Sequence, residues 1–208
     1  MWMEWSIPIQ KLEVDKVYTG ALQRTAKPLT PLSYKDGAFD LMHLNILMPP
    51  LIVKEYDIGT GKLILNLSDS PQTSSKLLAL QETLLNNVHT NQKLWFGDSN
   101  RTREQIHTLF QPFLESTSLH LYCPLQIQEK KHCLHIWKDN EWHRLVAPNL
   151  IKKGDVIRVG LRMQGISYQL NPQSNTWTGR FRVQHRIFCI YHCSSQKPKT
   201  LAEAPQCS

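Results

Sequence analysis

The sequence contains no apolar run that approaches a membrane span of about 20 residues. Its first residues, Met1 to Ile7, have no basic segment followed by an apolar one, so we expect neither a signal peptide nor a membrane partner. The five cysteines are odd in number and form no CxxC pair, which argues against a disulfide framework and a zinc ribbon. These absences predict reduced thiols in an intracellular, reducing compartment.

Motifs that carry catalysis are missing as well. The sequence has no glycine-rich phosphate loop, no GxSxG and no HExxH, and its acidic residues are scattered. Zinc would need four convergent ligands, whereas alternation along a strand points His192 away from Cys189 and Cys193. We therefore expect no enzyme, no metal and no cofactor, although catalytic groups can also converge from distant positions.

Length and composition indicate one ordinary globular body. A chain of 208 residues with 41% hydrophobic and 20% charged residues is long enough for one sizeable core. We predict a single, mainly β domain over residues 1–193 and a polar, disordered tail over residues 194–208. A homo-oligomer is compatible with this organisation.

The first half of the chain predicts strands followed by two helices. Prolines exclude long helices from the first seventy residues, and a Leu-rich stripe of period 3.6 follows Pro71. A second capping signal, Asp98-Ser99-Asn100, precedes an apolar set from Ile106 to Leu114 that Pro112 should kink or end. The predicted elements are strands Val14–Gln23, Phe39–Leu47, Leu51–Ile58 and Lys62–Leu67, and a first helix at Thr73–His89.

From Leu119 the period of the apolar residues returns to two. Trp137 and Trp142 flank a predicted hairpin turn. The clearest strand pair is Asp155–Met163 with Arg180–Ile190, which we expect to be antiparallel neighbours. Their core-facing side should carry Ile157, Val159, Leu161, Val183 and Ile187, with Cys189 on the same side.

The basic excess is concentrated in this strand pair. Residues 150–199 hold nine basic residues against the single acidic Asp155, a net charge of +8, so the rest of the chain carries −1 of the total of +7. Strand alternation places five arginines on polar sides that coincide if the strands pair. We call this surface the arginine face; it comprises Arg158, Arg162, Arg180, Arg182 and Arg186. Arginine binds phosphates bidentately and stacks on bases, although a polar outer face can also be merely solvated.

Aromatic residues near this surface suggest single strands, because unpaired bases stack on aromatic rings. Trp177 lies in a polar loop whose neighbours offer no core, which makes it the best stacking candidate. The other candidates are Tyr168, Trp137 and Trp142, and for the two tryptophans core or cross-strand packing is the competing explanation.

The order of elements resembles that of the OB-like proteins of large nucleocytoplasmic DNA viruses to which single-stranded DNA binding is ascribed. The resemblance covers about Phe39 to Tyr191 and rests on short motifs, including Leu94-Trp-Phe96 and the closing hairpin from Lys153. The matching pattern positions are Trp95, Phe96, Gly154, Arg158, Gly165 and Ile166. This resemblance implies a barrel-like β fold that binds single-stranded DNA during viral replication.

Together these observations predict an α+β, mostly β fold, with an antiparallel, partly closed, OB-like sheet and two helices inserted mid-chain. The predicted function is non-catalytic binding of single-stranded nucleic acid through the basic sheet face and stacking aromatics. Two alternatives remain open at this point. The chain could be a viral structural or protein-interaction module that binds an acidic partner, or a divergent nucleic-acid enzyme.

Overall fold

The computed structural model describes residues 5–37, 39–57, 59–96, 101–122, 135–138, 141–144, 150–174 and 177–193. The strands are β1 (Ile7–Pro8), β2 (Val17–Thr19), β3 (Leu29–Asp36), β4 (Phe39–Leu41), β5 (Leu44–Leu47), β6 (Leu51–Asp57), β7 (Lys62–Asn66), β8 (Phe110–Gln111), β9 (Leu114–Glu115), β10 (Ser118–Tyr122), β11 (His135–Lys138), β12 (Glu141–Arg144), β13 (Val156–Leu170) and β14 (Trp177–His192). The helices are α1 (Pro71–Phe96) and α2 (Arg103–Leu109). The predicted tail over residues 194–208 lies outside the described residues.

The fold is α+β and mostly β, with both helices between β7 and β8, as the sequence predicts. The strands form one large mixed sheet whose main path is β12-β11-β14-β13-β6-β7-β10-β9. Most neighbours are antiparallel, but β1 pairs with β5 in parallel, and β8 and β11 each pair with β14 in parallel. Within the described residues β10 and β14 do not pair with each other, so the sheet is unclosed.

The long strand β13 is the centre of the sheet. It pairs with β14 along one edge and with β6, β5 and β3 in succession along the other. The predicted antiparallel pair is confirmed, and its five predicted core residues are all buried. Both strands are longer than predicted, so the connecting loop is shorter. Three register shifts interrupt the pair, the first between Gly160 and Leu161.

A continuous hydrophobic core joins the sheet to the apolar stripe of α1, where Leu77, Leu80, Leu84, Leu85 and Val88 are fully buried. Complete burial of each such side chain contributes about 1.5–3 kcal/mol. This explains why α1 forms despite its otherwise polar composition. No helix in the described part of the chain is both long enough and apolar enough to cross a membrane.

The second helix differs from its prediction. Thr102 caps α2 through a reciprocal box with Gln105, and the helix ends at Leu109, so the expected helical stripe through Leu114 is wrong. The chain becomes extended at Phe110 because Phe110 and Gln111 pair with β14. The predicted cap at residues 98–100 lies outside the described residues.

The first strands also differ from prediction. The predicted strand from Val14 begins as a 3-10 turn and becomes extended only at Val17. Strand β3 is absent from the predicted elements, because Pro28 and Pro31 indicate sheet edges or loops, yet Pro31 lies within β3 opposite Gly165.

Candidate nucleic-acid interface

The register of β13 and β14 brings the predicted arginines onto one outer surface. Arg162 lies directly opposite Arg186, Arg182 lies opposite Ser167, and Arg158 lies opposite Tyr191. The neighbouring residues are buried on β13 (Ile157, Val159 and Leu161) and on β14 (Phe181, Val183 and Ile187), so the arginines point outward by alternation. The arginine face is therefore a continuous strip along the hairpin.

The charges on this strip are weakly compensated. Arg180, Arg182 and Arg186 are exposed, and Arg158 and Arg162 are half-buried. None of Arg158, Arg180, Arg182 and Arg186 forms an ion pair with a carboxylate of the described residues. Like charges directly opposite each other in a sheet are destabilising. The register nevertheless places two cations side by side on this strip.

Arg162 is oriented by a buried amide. Its Nε donates to Oδ1 of Asn45 at 3.2 Å, and Nδ2 of Asn45 donates to the carbonyl oxygen of Trp5 at 3.1 Å. Asn45 is itself buried on β5, next to β13. The indole of Trp5 is 77% exposed. The Asn45 side chain therefore bridges the Arg162 guanidinium and the backbone of Trp5, whose indole is exposed.

A β-bulge changes the surface between the arginines. Gly160 pairs with Cys189 and Leu161 pairs with Ile187, so Phe188 is the extra residue of β14. A Cβ atom placed on Gly160 would lie 2.6 Å from both the Phe188 ring and Sγ of Cys189. Both side chains therefore lie over Gly160 on the arginine face. The prediction that Cys189 shares the core side is wrong, because periodicity cannot register the extra residue.

The end of the arginine face at Arg158 carries aromatic residues. Trp137 pairs with Tyr191 across β11 and β14, and Tyr191 pairs with Arg158 across β14 and β13. Trp137 and Tyr191 are both partly exposed. The predicted Trp137–Trp142 hairpin pair is confirmed in the backbone register, while the Trp142 side chain and the predicted turn at residues 139–140 lie outside the description. An aromatic row therefore lies beside Arg158.

A groove of about 1210 Å³ lies at the opposite end, across β8, β14 and β13 and beside the segment that precedes β3. The register aligns Ser167, Arg182 and Gln111 across its floor. Lys27 and Arg180 also line it, and none of its described lining residues is Asp or Glu. Its polar groups are cations, amides and hydroxyls, which suit the oxygen atoms of an anionic chain.

Tyr168, a predicted stacking residue, is among the residues that line the groove. Tyr168 is 6% exposed and its hydroxyl lies 2.9 Å from Oγ1 of Thr30. Its ring lies edge-on to Trp177, with the ring centroids 6.3 Å apart, and burial raises the pKa of its hydroxyl. A base cannot stack on this ring as the residue is placed here. Tyr168 is therefore a core residue in this structure.

Trp177 also differs from its prediction. It packs against the core rather than standing in a loop without neighbours. Its Nε1 donates to the Arg180 carbonyl oxygen at 3.0 Å, and the guanidinium of Arg101 lies 4.5 Å from its ring centroid. Such a cation–π contact occupies one face of the ring. Trp177 therefore supports the loop beside Arg180.

His185 also lines the groove but adds no charge at neutral pH. It lies opposite Met163, and burial lowers the pKa of its imidazole, with the neighbouring Arg182 acting in the same direction. The cationic character of the groove at pH 7 therefore comes from Lys27, Arg180 and Arg182.

Sequence reasoning missed Trp5, Lys27 and Phe188. Trp5 and Lys27 reach the interface through tertiary pairing, which leaves no local signal. Phe188 interrupts the alternation of arginine and apolar residues, and this interruption was the available sign of a bulge.

Within the described residues no group of three or more His, Cys, Asp or Glu side chains is arranged to hold a metal. A scan against protein-family models gave no match, and searches among curated proteins and solved structures gave none either.

Proposed function

We propose that this protein is a non-catalytic binder of single-stranded nucleic acid, with DNA as the expected ligand. The arginine face and the groove together form the binding surface. The single observation that carries the proposal is the register of β13 and β14, which aligns arginines on one surface with little carboxylate compensation. Phosphate groups supply the missing negative charge, and the release of their counterions drives binding.

The groove supports a polymeric ligand rather than a small one. Its volume of about 1210 Å³ exceeds the roughly 300–1,000 Å³ typical of small-molecule pockets. It continues onto the arginine face through Arg182 and Gln184, which belong to the same strand as Arg186. A flexible, negatively charged chain can follow such a path from the groove to the aromatic row.

Single strands are favoured over duplex because the strip combines cations with partly exposed rings. Trp137, Tyr191 and Phe188 lie among the arginines. A stacked base contributes about 1–3 kcal/mol in proteins that bind single strands. Bases inside a duplex do not offer their flat surfaces to a protein.

An OB-like arrangement is the finer part of the proposal, and strand order supports it. The path β13-β6-β7-β10 places a fourth strand beside the first, which is the Greek-key order. Residues 110–115 lie at both edges of the sheet, since β8 pairs with β14 and β9 pairs with β10. The OB-fold is a partly open Greek-key barrel of five strands, here β6, β7, β10, β13 and β14.

The proposed binding surface agrees only in part with that of OB-folds. Their loop between strands 4 and 5 binds oligonucleotides, and the corresponding loop after β13 lines the groove through Asn171 and Pro172. Their strands 2 and 3 also bind, whereas no described residue of β7 or β10 lines the groove. We therefore place the ligand on β13 and β14.

The test compares two sets of three exposed cations. Arg180, Arg182 and Arg186 are replaced with Gln in one variant, and Lys11, Lys62 and Lys93 in the other. Fluorescence anisotropy with a thirty-residue oligothymidylate measures affinity at several salt concentrations. The arginine variant should bind more weakly and lose about two units of log–log salt slope, roughly 0.7 for each lost phosphate contact. The lysine variant should stay close to the wild type.

The same titration includes duplex and shorter single strands. Affinity should increase with strand length up to a fixed site size, which separates nucleic acid from an acidic protein as the natural ligand. Absence of binding to the thirty-mer at low salt, or a preference for duplex, contradicts the proposal. Equal weakening by the arginine and lysine sets, with both variants folded by circular dichroism, shows that the arginine face is only solvated.

A further inference from the structure

Phe188 lies in the middle of the arginine face because of the bulge described above. As the extra residue opposite the Gly160–Leu161 step, it is free of the alternation that turns Ile187 and Ile190 into the core. Its ring atoms Cζ and Cε2 lie 2.6 and 2.7 Å from the position of a Cβ on Gly160. Only a glycine leaves room for the ring to lie against the backbone of β13.

The surroundings of this ring are cationic. Arg158 and Arg162 each lie two residues from Gly160 on β13 and point to the same side, roughly 6–7 Å along the strand in either direction. Arg186 lies opposite Arg162, which Asn45 holds in place. The ring is partly exposed, as expected for an aromatic group that has one side against the sheet.

We propose that Phe188 is a base-stacking platform of the binding surface, with the phosphates that flank the stacked base bound by Arg158 on one side and by Arg162 and Arg186 on the other. This inference rests on the proposed function and specifies how that surface binds one nucleotide. Because every base has a π-face, the platform predicts little base specificity.

The position distinguishes Phe188 from Tyr168 and Trp177, the stacking candidates predicted in this hairpin. Tyr168 is buried, and the ring of Trp177 is in contact with Arg101. Phe188 is partly exposed and lies between arginines along the strand. Gly160 then acts as a positioning residue, since its missing side chain sets the height of the ring above the sheet.

The first experiment changes the ring. Phe188→Leu keeps an apolar side chain and removes the π-face, so affinity for the thirty-residue oligothymidylate should fall about tenfold, the lower part of the range for one stacked base. The salt slope should remain unchanged, because stacking releases no counterions. Phe188→Tyr keeps an aromatic ring and should bind the oligonucleotide with wild-type affinity. Tyr18→Leu removes a partly exposed aromatic residue from β2, away from this surface, and serves as the matched control.

The second experiment leaves the ring in place and moves it. Gly160→Ala puts a methyl group where the Phe188 ring and the Cys189 sulfur lie, and should weaken binding without altering the salt slope. A third measurement uses the unmodified protein, so it does not depend on how the variants fold. Irradiation of its complex with an oligothymidylate containing 5-iodouracil, followed by peptide mapping, should place the cross-link on Phe188.

The outcomes separate this inference from the proposed function. If the wild-type protein does not bind the oligonucleotide, the proposed function itself fails. If it binds with the expected salt slope while Phe188→Leu has wild-type affinity, or if the cross-links avoid Phe188, only the stacking platform is overturned.

Discussion

Two parts of the same sheet differ in the partners of their outward-facing charged side chains. In β6 and β7, Lys62 lies 3.6 Å from the carboxylate of Glu55, and Lys54 donates to Ser118 on β10. In the hairpin of β13 and β14, Arg162 lies opposite Arg186, another cation. The first region pairs one cation with a carboxylate and another with a hydroxyl, whereas the second places two cations opposite each other. A binding surface for an anionic ligand is the explanation that we propose for this difference.

The largest predicted effect on the free energy of unfolding comes from the close approach of the β3 and β13 backbones, and the turn between β6 and β7 provides the comparison. Gly165 of β13 lies so close to β3 that a Cβ atom would overlap the carbonyl oxygen of Thr30, while a Cβ on Gly59, in the β6–β7 turn, would make an ordinary 3.4 Å contact. Gly165→Ala should therefore lower the free energy of unfolding by about 3 kcal/mol, and Gly59→Ala should leave it nearly unchanged. Urea denaturation measures both. Equal tolerance of the two substitutions contradicts the close approach of β3 and β13.

The second prediction converts one kind of charge arrangement into the other. Arg186→Glu replaces the like-charged pair with Arg162 by an opposite one, and should raise the free energy of unfolding by about 1 kcal/mol while weakening oligonucleotide binding. In β6, Glu55→Lys creates a like-charged contact with Lys62 and should lower stability by about 0.5 kcal/mol without affecting binding. Denaturation and anisotropy are measured on both variants. A loss of stability in Arg186→Glu would show that Arg186 has a structural role.

The smallest predicted effect is the pH dependence of the free energy of unfolding. Burial lowers the pKa of His185 in the folded state, so the unfolded chain binds more protons at mildly acidic pH. Stability is therefore fully present above the unfolded pKa of about 6.5 and decreases as the pH falls below it, by at most about 0.7 kcal/mol between pH 7 and pH 6 for one group. His185→Gln should lose less stability over this interval than the wild type. Parallel slopes for the two proteins would contradict the assigned burial.

The sequence was sufficient to predict the parts of the fold that periodicity controls. The β13–β14 pair, the β6–β7 hairpin and α1 all have strong apolar patterns, and all are present. The arginine face could be predicted for the same reason. Strand β3 could not, because its pairing with β13 overrides the usual meaning of proline.

The details of the candidate site could be predicted less well from the sequence. The bulge at Phe188 shifts the register by one residue, and a pattern of period two cannot locate such a shift. Lys27 and Trp5 reach the interface from the first part of the chain by long-range contacts. The sequence predicts no core neighbours for Trp177, because its contacts with Tyr168 across the hairpin and with the distant Arg101 depend on the tertiary fold.

The central position of β13 also has a consequence for biosynthesis. Pro31 of β3 pairs with Gly165, which the ribosome adds 134 residues later. At a synthesis rate of about 5–20 residues per second, roughly 7–27 s pass between the synthesis of Pro31 and that of Gly165. The interval for β5, which pairs with the same strand, is almost as long. During that interval the nascent chain exposes unpaired strand edges. Chaperone binding to the emerging amino-terminal half would protect these edges until β13 leaves the ribosome.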